Sequence, residues 1–223
     1  MAVNQMITKF EEQWDLDKSY YLEHTDFKDW LRYFYVIKDI QHYKPRYVLE
    51  CGTGNDVVKN IIEPTVKLYV TLDLNEKLKP DIVSDITVKQ EGLKNSFDLI
   101  VACEILEHIH FGVLSKTIEN LVSYLRQDGK IIFTLPLKRP FVSVSTILNI
   151  NPVHFYFPRI RHRGYVDPCH RWEIGSGGIT TKTVEEVIKK SHGQTVKYRD
   201  IPYHGYWIIG RDTDELMYFG ARN

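Results

Sequence analysis

Two acidic residues that follow apolar runs are the side chains best suited to bind a small ligand. Glu50 ends the run that starts at Tyr47, and Asp73 ends the run at 68–72. A carboxylate can accept hydrogen bonds from two neighbouring hydroxyl groups, and its charge strengthens those bonds. Nucleotide-binding α/β folds place an acid for the ribose about 20 residues after the first turn. The pair predicts a nucleotide-like ligand bound chiefly by Asp73, with an aspartate that only caps a turn as the alternative.

Histidines are the side chains best suited to move a proton in this sequence. An imidazole with a pKa of about 6.5 can take a proton from a hydroxyl group at neutral pH. His170 is the first candidate base, and Glu173 could orient its ring or bind a substrate hydroxyl. His108, which follows another apolar run, is the second candidate. The alternatives are a solvent-facing charge at Glu173 and a histidine that caps the next helix at His108.

Two glycines, Gly52 and Gly54, come close behind Glu50. Glycine has no Cβ, so it can adopt tight or positive-φ conformations and let a ligand lie against the main chain. The dinucleotide-binding fingerprint requires a third glycine three positions later, and Val57 occupies that position. The segment therefore predicts a ligand-binding turn of another kind, with an ordinary strand-to-helix turn as the alternative.

The apolar pattern predicts the elements that position these residues. Strand-like runs alternate with stretches of helical periodicity, as at 114–125, which separates the runs at 97–103 and 130–136. Helices that connect strands in this way are typical of a parallel sheet. We predict an α/β doubly wound sandwich with its ligand crevice at the carboxyl ends of the strands. Four acids would gather there: Glu50, Asp73, Asp85 and Glu104.

The order of these segments resembles the class I S-adenosylmethionine-dependent methyltransferases. Glu50, Gly52 and Gly54 resemble the acid-x-Gly-x-Gly pattern of motif I, although that family often has a glycine where this chain has Asp56. The segment at 97–109, with its Leu-Glu-His step, resembles motif IV of the branch that contains ubiquinone- and biotin-pathway enzymes. The segment at 125–136 resembles the helix end, glycine turn and fifth strand. The resemblance covers residues 46–136.

The resemblance implies a Rossmann-like fold, a cofactor and a set of cofactor-binding residues. We expect a mostly parallel seven-stranded sheet with an antiparallel C-terminal hairpin, and S-adenosyl-L-methionine as the cofactor. Asp85 would approach the adenine amino group, and Ile86 would pack near the ring. The implied cofactor-binding residues are Glu50, Gly52, Gly54, Asp73, Leu74, Asp85, Ile86, Cys103 and Glu104.

Residues 1–44 are expected to form an N-terminal helical cover. Asp26 is a candidate N-cap, and Pro45 closes the segment. Apolar residues at helical spacing predict the face that packs on the sheet. These residues are Phe27, Trp30, Leu31, Phe34 and Ile37.

Residues 137–178 break the periodic pattern and are expected to form an insertion that serves as a substrate lid or wall. Long stretches of this kind are usually functional. An arm that pairs two copies into a homodimer is the alternative. The segment at 167–175 resembles a His-Trp-Glu segment in bacterial methyltransferases encoded near surface-polysaccharide genes, which favours a sugar-like acceptor. The arginines at 159–163 would suit an anionic acceptor, or they are simply solvated.

The C-terminal part is expected to complete the sheet. Thr183 and Glu186 have the spacing of a capping box at the start of a helix, and strand-like runs follow around Val196, Trp207 and Leu216. His204 lies between the first two of these runs, where a surface turn is the favoured reading and a position in the crevice is the alternative.

Composition favours one domain spanning residues 1–223. The chain has 43% hydrophobic residues and equal counts of 29 basic and 29 acidic residues. That balance leaves no net field to hold nucleic acid or an anionic membrane. No apolar run approaches the roughly 18 residues of a membrane span, and we expect a cytoplasmic protein. Three widely spaced cysteines give neither a disulfide framework nor a metal-type pair, so no metal is expected.

The sequence as a whole predicts a methyltransferase. Its acceptor would be an oxygen, or as a second choice a nitrogen, of a small polar metabolite or glycan precursor. A catalytically silent scaffold on the same fold is the alternative, because Asp56 alters the glycine motif. A nicotinamide-dependent oxidoreductase is a third reading. The missing third glycine counts against it, as do the matches around Asp85 and Glu104.

Overall fold

The computed structural model describes residues 16–137, 141–144, 153–156 and 166–212. Within them, helices and strands alternate along the chain up to the fifth strand. The strands are β1 Tyr47–Cys51, β2 Leu68–Asp73, β3 Ile82–Val83, β4 Phe97–Cys103, β5 Leu125–Pro136, β6 Phe141–Val144, β7 Val153–Tyr156, β8 Gly193–Ile201 and β9 His204–Arg211. The α-helices are α1 Lys18–Glu23, α2 Phe27–Tyr43, α3 Val57–Ile62, α4 Leu114–Tyr124 and α5 Thr181–Lys190. Short 3₁₀ helices span Glu63–Thr65, Glu76–Leu78, Glu91–Leu93, Leu106–His108 and Phe111–Val113.

Seven strands form one sheet in the order β3-β2-β1-β4-β5-β9-β8. The first five strands are parallel, and β9 runs antiparallel between β5 and β8. This confirms the predicted Rossmann-like sheet with an antiparallel C-terminal hairpin. The strand order reverses between β1 and β4, and an open α/β sheet binds ligands at such a switch point, beyond the carboxyl ends of the strands.

Helices cover both faces of the sheet, and alternate strand residues supply the two cores. Val48 and Leu99 face α2 and α3, whereas their neighbours Leu49 and Ile100 face α4 and α5. All four side chains are fully buried. Burial on both faces explains why β1 and β4 read as continuous apolar runs.

Helix α2 begins at the predicted N-cap, and its side chain makes a capping box. Asp26 accepts hydrogen bonds from the backbone amides of Lys28 and Asp29, and Asp29 accepts one from the amide of Asp26. These bonds satisfy amide groups that have no partner inside the helix.

The predicted packing face of α2 was wrong at three positions. Phe27, Trp30 and Phe34 are 64%, 55% and 42% exposed. The stripe that faces the sheet lies one position further round the helix. Its apolar members are Leu31, Tyr35, Val36 and Ile40.

Helix α5 begins one turn earlier than its predicted capping box. Thr180 is the N-cap, and its hydroxyl accepts a hydrogen bond from the backbone amide of Thr183 at 3.1 Å. Thr183 therefore lies inside the helix rather than at its cap. The predicted apolar face is retained, since Val184 and Ile188 are buried.

Strands β6 and β7 pair as an antiparallel hairpin inside the predicted insertion. The arginine-rich segment at 159–163 and the predicted strand-like end of the chain lie outside the described residues. Among the described residues, no helix has the length and apolar character needed to cross a membrane.

Candidate functional site

A crevice of about 770 Å³ opens at the carboxyl ends of β1, β2 and β4. Its size lies within the roughly 300–1,000 Å³ range of small-molecule and cofactor sites. All nine residues predicted to bind the cofactor line it, together with His108 and His170. Glu173 does not line the crevice but lies behind His170. The topology therefore gathers the predicted site residues at the carboxyl ends of the strands.

The turn after β1 places bare backbone against this crevice. Gly52 and Gly54 have φ angles of +80° and +51°, a region that disfavours side chains. A Cβ atom on Gly52 would lie 2.9 Å from Cδ1 of Ile105. Asp56, where related motifs often have glycine, also has a positive φ of 58° and forms an ion pair with Lys18 of α1. The altered motif thus keeps the left-handed backbone and adds a link to the N-terminal cover.

Asp73 is held at the end of β2 by hydrogen bonds to both carboxylate oxygens. Its Oδ2 atom accepts from the backbone amide of Thr53 at 2.9 Å, and Oδ1 accepts from the amide of Asn75 at 2.9 Å. These bonds fix the carboxylate against the crevice wall and leave further lone pairs for a ligand. The next residue, Leu74, lines the crevice with an exposed apolar side chain.

Glu50 is buried beside the glycine turn. Its Oε2 atom accepts a hydrogen bond from the hydroxyl of Tyr69 at 2.9 Å. Burial raises the pKa of Glu50 to about 8, and the bond from Tyr69 opposes that rise. Glu50 therefore holds a proton through the neutral range in the ligand-free site.

Asp85, Ile86 and Cys103 are three more of the predicted residues that line the crevice. The Oδ1 atom of Asp85 accepts from the amide of Thr87 at 2.8 Å, which fixes the loop after β3. Ile86 is buried and provides an apolar surface. Burial raises the pKa of Cys103 to about 12, so its thiol stays protonated.

Glu104 lies just after β4 and has two polar neighbours from the C-terminal half of the sheet. Its backbone has a φ of +52°, and Oε1 accepts from the hydroxyl of Thr134 at 2.8 Å. The Nε2 atom of His204 lies 3.5 Å from Oε2. The surface turn favoured for His204 was wrong, because the ring is buried and burial lowers its pKa.

Arg32 of α2 is a crevice residue that the sequence reasoning missed. It is buried, lines the crevice, and donates from Nη2 to Oδ1 of Asp29 at 3.1 Å. Burial by itself lowers the pKa of Arg32, but the surrounding negative charges, that of Glu104 first, together outweigh this effect and raise the pKa. The available signal was an arginine inside an otherwise apolar helical stripe.

Two histidines that line the crevice face each other. Nδ1 of His170 lies 2.9 Å from Oε1 of Glu173, which also accepts from the backbone amide of Asp167. Nδ1 of His108 lies 2.9 Å from the carbonyl oxygen of Cys169. The two rings are 5.0 Å apart and nearly perpendicular. Glu173 thus contacts His170 as an orienting residue would, and the roles of these residues stay predictions.

The buried Glu107 lies beside these histidines and was not among the predicted site residues. Burial, and then the charge of Glu104, raise the pKa of Glu107 well above its ordinary value. Burial, and then the charge of His170, lower the pKa of His108. The two shifts favour the uncharged forms of Glu107 and His108.

Residues 21–172 match the family model described as a methyltransferase domain. The chain belongs to this methyltransferase family. The matched region contains every residue of the predicted site except Glu173. The match confirms the enzyme class and the cofactor expected from the sequence, an S-adenosylmethionine-dependent methyltransferase. No curated protein matches the sequence.

Solved structures similar to this methyltransferase share its fold at low sequence identity. The N-methyltransferase NodS from Bradyrhizobium japonicum WM9, in complex with S-adenosyl-L-homocysteine, has a TM-score of 0.62 and 14% identity over 92% of this chain and 98% of its own. An S-adenosylmethionine-dependent methyltransferase from Clostridium acetobutylicum ATCC 824 has a TM-score of 0.58 and 14% identity over 92% and 98%. The 1,6-didemethyltoxoflavin-N1-methyltransferase from Burkholderia thailandensis has a TM-score of 0.55 and 11% identity over 81% and 76%.

The residues of this methyltransferase suit its cofactor. The positive-φ turn at Gly52 and Gly54 offers main-chain groups to a ligand, and the fixed carboxylate of Asp73 suits the two ribose hydroxyls. The buried surface of Ile86, beside Asp85, suits a flat apolar ring with a polar edge. His108 and His170 line the same crevice and are not among the residues predicted to bind the cofactor.

Proposed function

We propose that this methyltransferase transfers a methyl group to an oxygen of a small polar acceptor, such as a sugar-like metabolite or a glycan precursor. The observation that carries the proposal is that His108 and His170 line the same crevice as Asp73 and the glycine turn. An oriented imidazole therefore lies in the crevice and is not one of the predicted cofactor-binding residues. An oxygen acceptor needs such a group because its proton must leave as the new bond forms.

The proposed reaction is an in-line displacement in which the protein positions two reactants. The bound cofactor supplies a methyl group already activated on a sulfonium centre. The acceptor oxygen forms a bond to the methyl carbon while the carbon–sulfur bond breaks, and the hydroxyl proton leaves the oxygen. Because Nδ1 of His170 bonds Glu173, the ring offers its other nitrogen, Nε2, to accept that proton. Much of the rate would come from alignment and exclusion of water.

A nitrogen acceptor is the second candidate. Two of the similar structures are N-methyltransferases, which supports a nitrogen acceptor as the second candidate. An amine that attacks in its neutral form needs a weaker base, so its methylation would depend less on the histidine pair.

We further propose that the Leu106-Glu107-His108 step places the chain in the branch with the ubiquinone- and biotin-pathway enzymes.

The acceptor class is tested by measuring release of S-adenosylhomocysteine with panels of hydroxyl and amine compounds. The hydroxyl panel contains monosaccharides, sugar phosphates and nucleotide sugars. We expect turnover with at least one hydroxyl compound and a loss of about 100-fold or more in kcat for His170→Gln. Exposed His42 provides the control, and His42→Gln should retain full turnover. Turnover with amines alone would overturn the oxygen proposal.

A further inference from the structure

We propose that Glu107, His108 and His170 form a binding site for a divalent transition-metal ion at the acceptor end of the crevice. One ligand atom from each residue lies within 4.8 Å of the other two. The proposal departs from the expectation of no metal, which rested on the spacing of the cysteines.

The spacing of the three side chains leaves room for one ion among them. Oε1 of Glu107 lies 4.0 Å from Nε2 of His108 and 3.9 Å from Nε2 of His170. An ion placed at equal distances from these three atoms would lie about 2.5 Å from each of them. Zn²⁺ binds its nitrogen and oxygen ligands at about 2.0–2.2 Å. Side-chain movements of a few tenths of an ångström would therefore complete the coordination.

Hydrogen bonds set both imidazoles in the tautomer that binds metal through Nε2. The carbonyl oxygen of Cys169 can only accept, so Nδ1 of His108 carries the proton in their 2.9 Å contact. The carboxylate of Glu173 holds Nδ1 of His170 in the same way at 2.9 Å. Each neutral ring then has an unprotonated Nε2, which lies 4.0 Å from Oε1 of Glu107 in His108 and 3.9 Å from it in His170. Histidine ligands of metal sites are held by the same kind of outer hydrogen bond.

The carboxyl group of Glu107 is the strongest single sign of a ligand in this cluster. Its side chain is fully buried, and neither oxygen has a hydrogen-bond partner among the described residues. Burying an unpaired carboxylate is unfavourable, and a bound cation compensates that loss. The two Nε2 atoms nearest to it lie beyond hydrogen-bonding distance, at the spacing that an intervening ion requires.

The fold holds these residues together although His170 lies far along the chain from the other two. Glu107 and His108 belong to the 3₁₀ helix Leu106–His108 that follows β4. The backbone amide of Arg171 donates to the carbonyl oxygen of Glu107 at 2.9 Å. The indole of Trp172 donates to the carbonyl oxygen of Ile109 at 3.1 Å. The site is therefore built into a rigid junction rather than formed by loose loops.

One side of the cluster is open to substrate. His108 and His170 line the crevice, whereas Glu107 lies beneath them. An ion held by two imidazoles and one carboxylate keeps positions free on the crevice side for an oxygen ligand. Zn²⁺, Fe²⁺ and Mn²⁺ accept such a set of ligands.

The role of the ion rests on the proposed function. A metal-bound hydroxyl group loses its proton to solvent water more readily, because the cation lowers the pKa of that hydroxyl. The resulting metal-bound oxygen then attacks the methyl carbon. With the ion bound, Nε2 of His170 is a metal ligand and the hydroxyl proton passes to solvent water. Nε2 accepts that proton only in the metal-free enzyme, and the Nδ1 contact with Glu173 is the same in both forms.

Metal binding is tested by calorimetric titration of chelator-treated protein with Zn²⁺ and with Mn²⁺. We expect one ion per chain with a micromolar or lower Kd for at least one of the metals. His170→Ala should weaken binding by at least about 100-fold, and Glu173→Gln, which leaves the ligands in place, by about 10-fold. His42→Ala, on an exposed histidine, should bind as the wild type does.

Glu107→Gln adds a second test, since it keeps the size of the side chain but removes its charge. Metal should raise the Tm of the wild type and leave that of Glu107→Gln unchanged. If Glu107→Gln does not fold, His170→Ala and His108→Ala decide the matter. Absence of saturable binding by the wild type, or equal affinity in His170→Ala, would overturn the proposal. S-adenosylhomocysteine titrated into the same samples separates this outcome from failure of the methyltransferase proposal.

Discussion

Asn55, in the turn after β1, donates a hydrogen bond from its side-chain amide to the hydroxyl of Tyr33 at 2.8 Å. The same amide donates to the hydroxyl of Thr25 at 3.0 Å, and Asn55 is buried. A second link runs from the side-chain amide of Asn75, after β2, to the carbonyl oxygen of Leu16 at 2.7 Å. The N-terminal segment is thus hydrogen-bonded to both loops that carry predicted cofactor-binding residues.

Asn55→Ala should therefore affect both stability and cofactor binding. The change removes two donated hydrogen bonds in a buried place, so we expect a loss of about 1–3 kcal/mol in the free energy of unfolding. Affinity for S-adenosylhomocysteine should fall several-fold because the turn at Gly52 and Gly54 loses its support. Urea unfolding and calorimetry measure the two effects. Asn60→Ala, on an exposed residue of α3, is the matched control, and equal behaviour of the two variants would refute the link.

Glu50→Gln should change how stability depends on pH. The pKa of Glu50 is about 8 in the folded protein against an ordinary 4.5, so folding favours its neutral form. Its contribution to stability is complete below pH 4.5 and is lost as the pH rises through 8. The glutamine stays neutral and can still accept from Tyr69.

We therefore expect similar Tm values for wild type and Glu50→Gln near pH 4.5. As the pH rises, the Tm of the variant should exceed that of the wild type, by several degrees at pH 9. Thermal melts across this range in the absence of cofactor provide the measurement. Glu63→Gln, on an exposed glutamate, should follow the wild type. A constant difference between wild type and Glu50→Gln at all pH values would contradict the assignment.

Trp172 should matter more for turnover than for cofactor affinity. Its indole donates to the carbonyl oxygen of Ile109, and its ring packs edge-on against Phe111 with centroids 5.0 Å apart. Trp172→Ala should destabilise the fold by about 3–5 kcal/mol and displace the neighbouring His170.

Trp30→Ala is the matched control for Trp172→Ala. Trp30 is 55% exposed on α2, so its loss should change stability by less than about 0.5 kcal/mol. Denaturant unfolding, methyl-transfer assays and calorimetry compare the two variants. A large loss of stability in Trp30→Ala would contradict the exposed position of Trp30 on α2.

The strand ends of the site could be predicted from the sequence because their signal is local. Glu50 and Asp73 each end a buried run, and parallel strands bring their carboxyl ends to one edge. The glycine turn was visible for the same reason. Asp56 was the one departure from the motif, and its positive φ shows that the backbone kept its shape.

Other features depend on contacts between distant parts of the chain, which one sequence does not reveal. Arg32 and His204 are buried because Glu104 and the strand pairing of β9 with β5 surround them. On α2 two sets of apolar residues have helical spacing, and only the folded structure shows which of the two packs against the sheet. His108 and His170 were both candidate bases, but their approach to Glu107 required the folded junction.

Cofactor binding by the crevice is most directly tested by titrating S-adenosylhomocysteine into the wild type, Asp73→Ala and Asp128→Ala by calorimetry. Asp128 is exposed near the amino end of β5, away from the carboxyl ends of the strands, and serves as the control. We predict micromolar binding by the wild type and the control, and a loss of about 10-fold or more for Asp73→Ala, which loses charged hydrogen bonds to the ribose. Folded wild-type protein that binds no S-adenosylhomocysteine, or an Asp73→Ala variant with unchanged affinity, would contradict the assignment of this crevice.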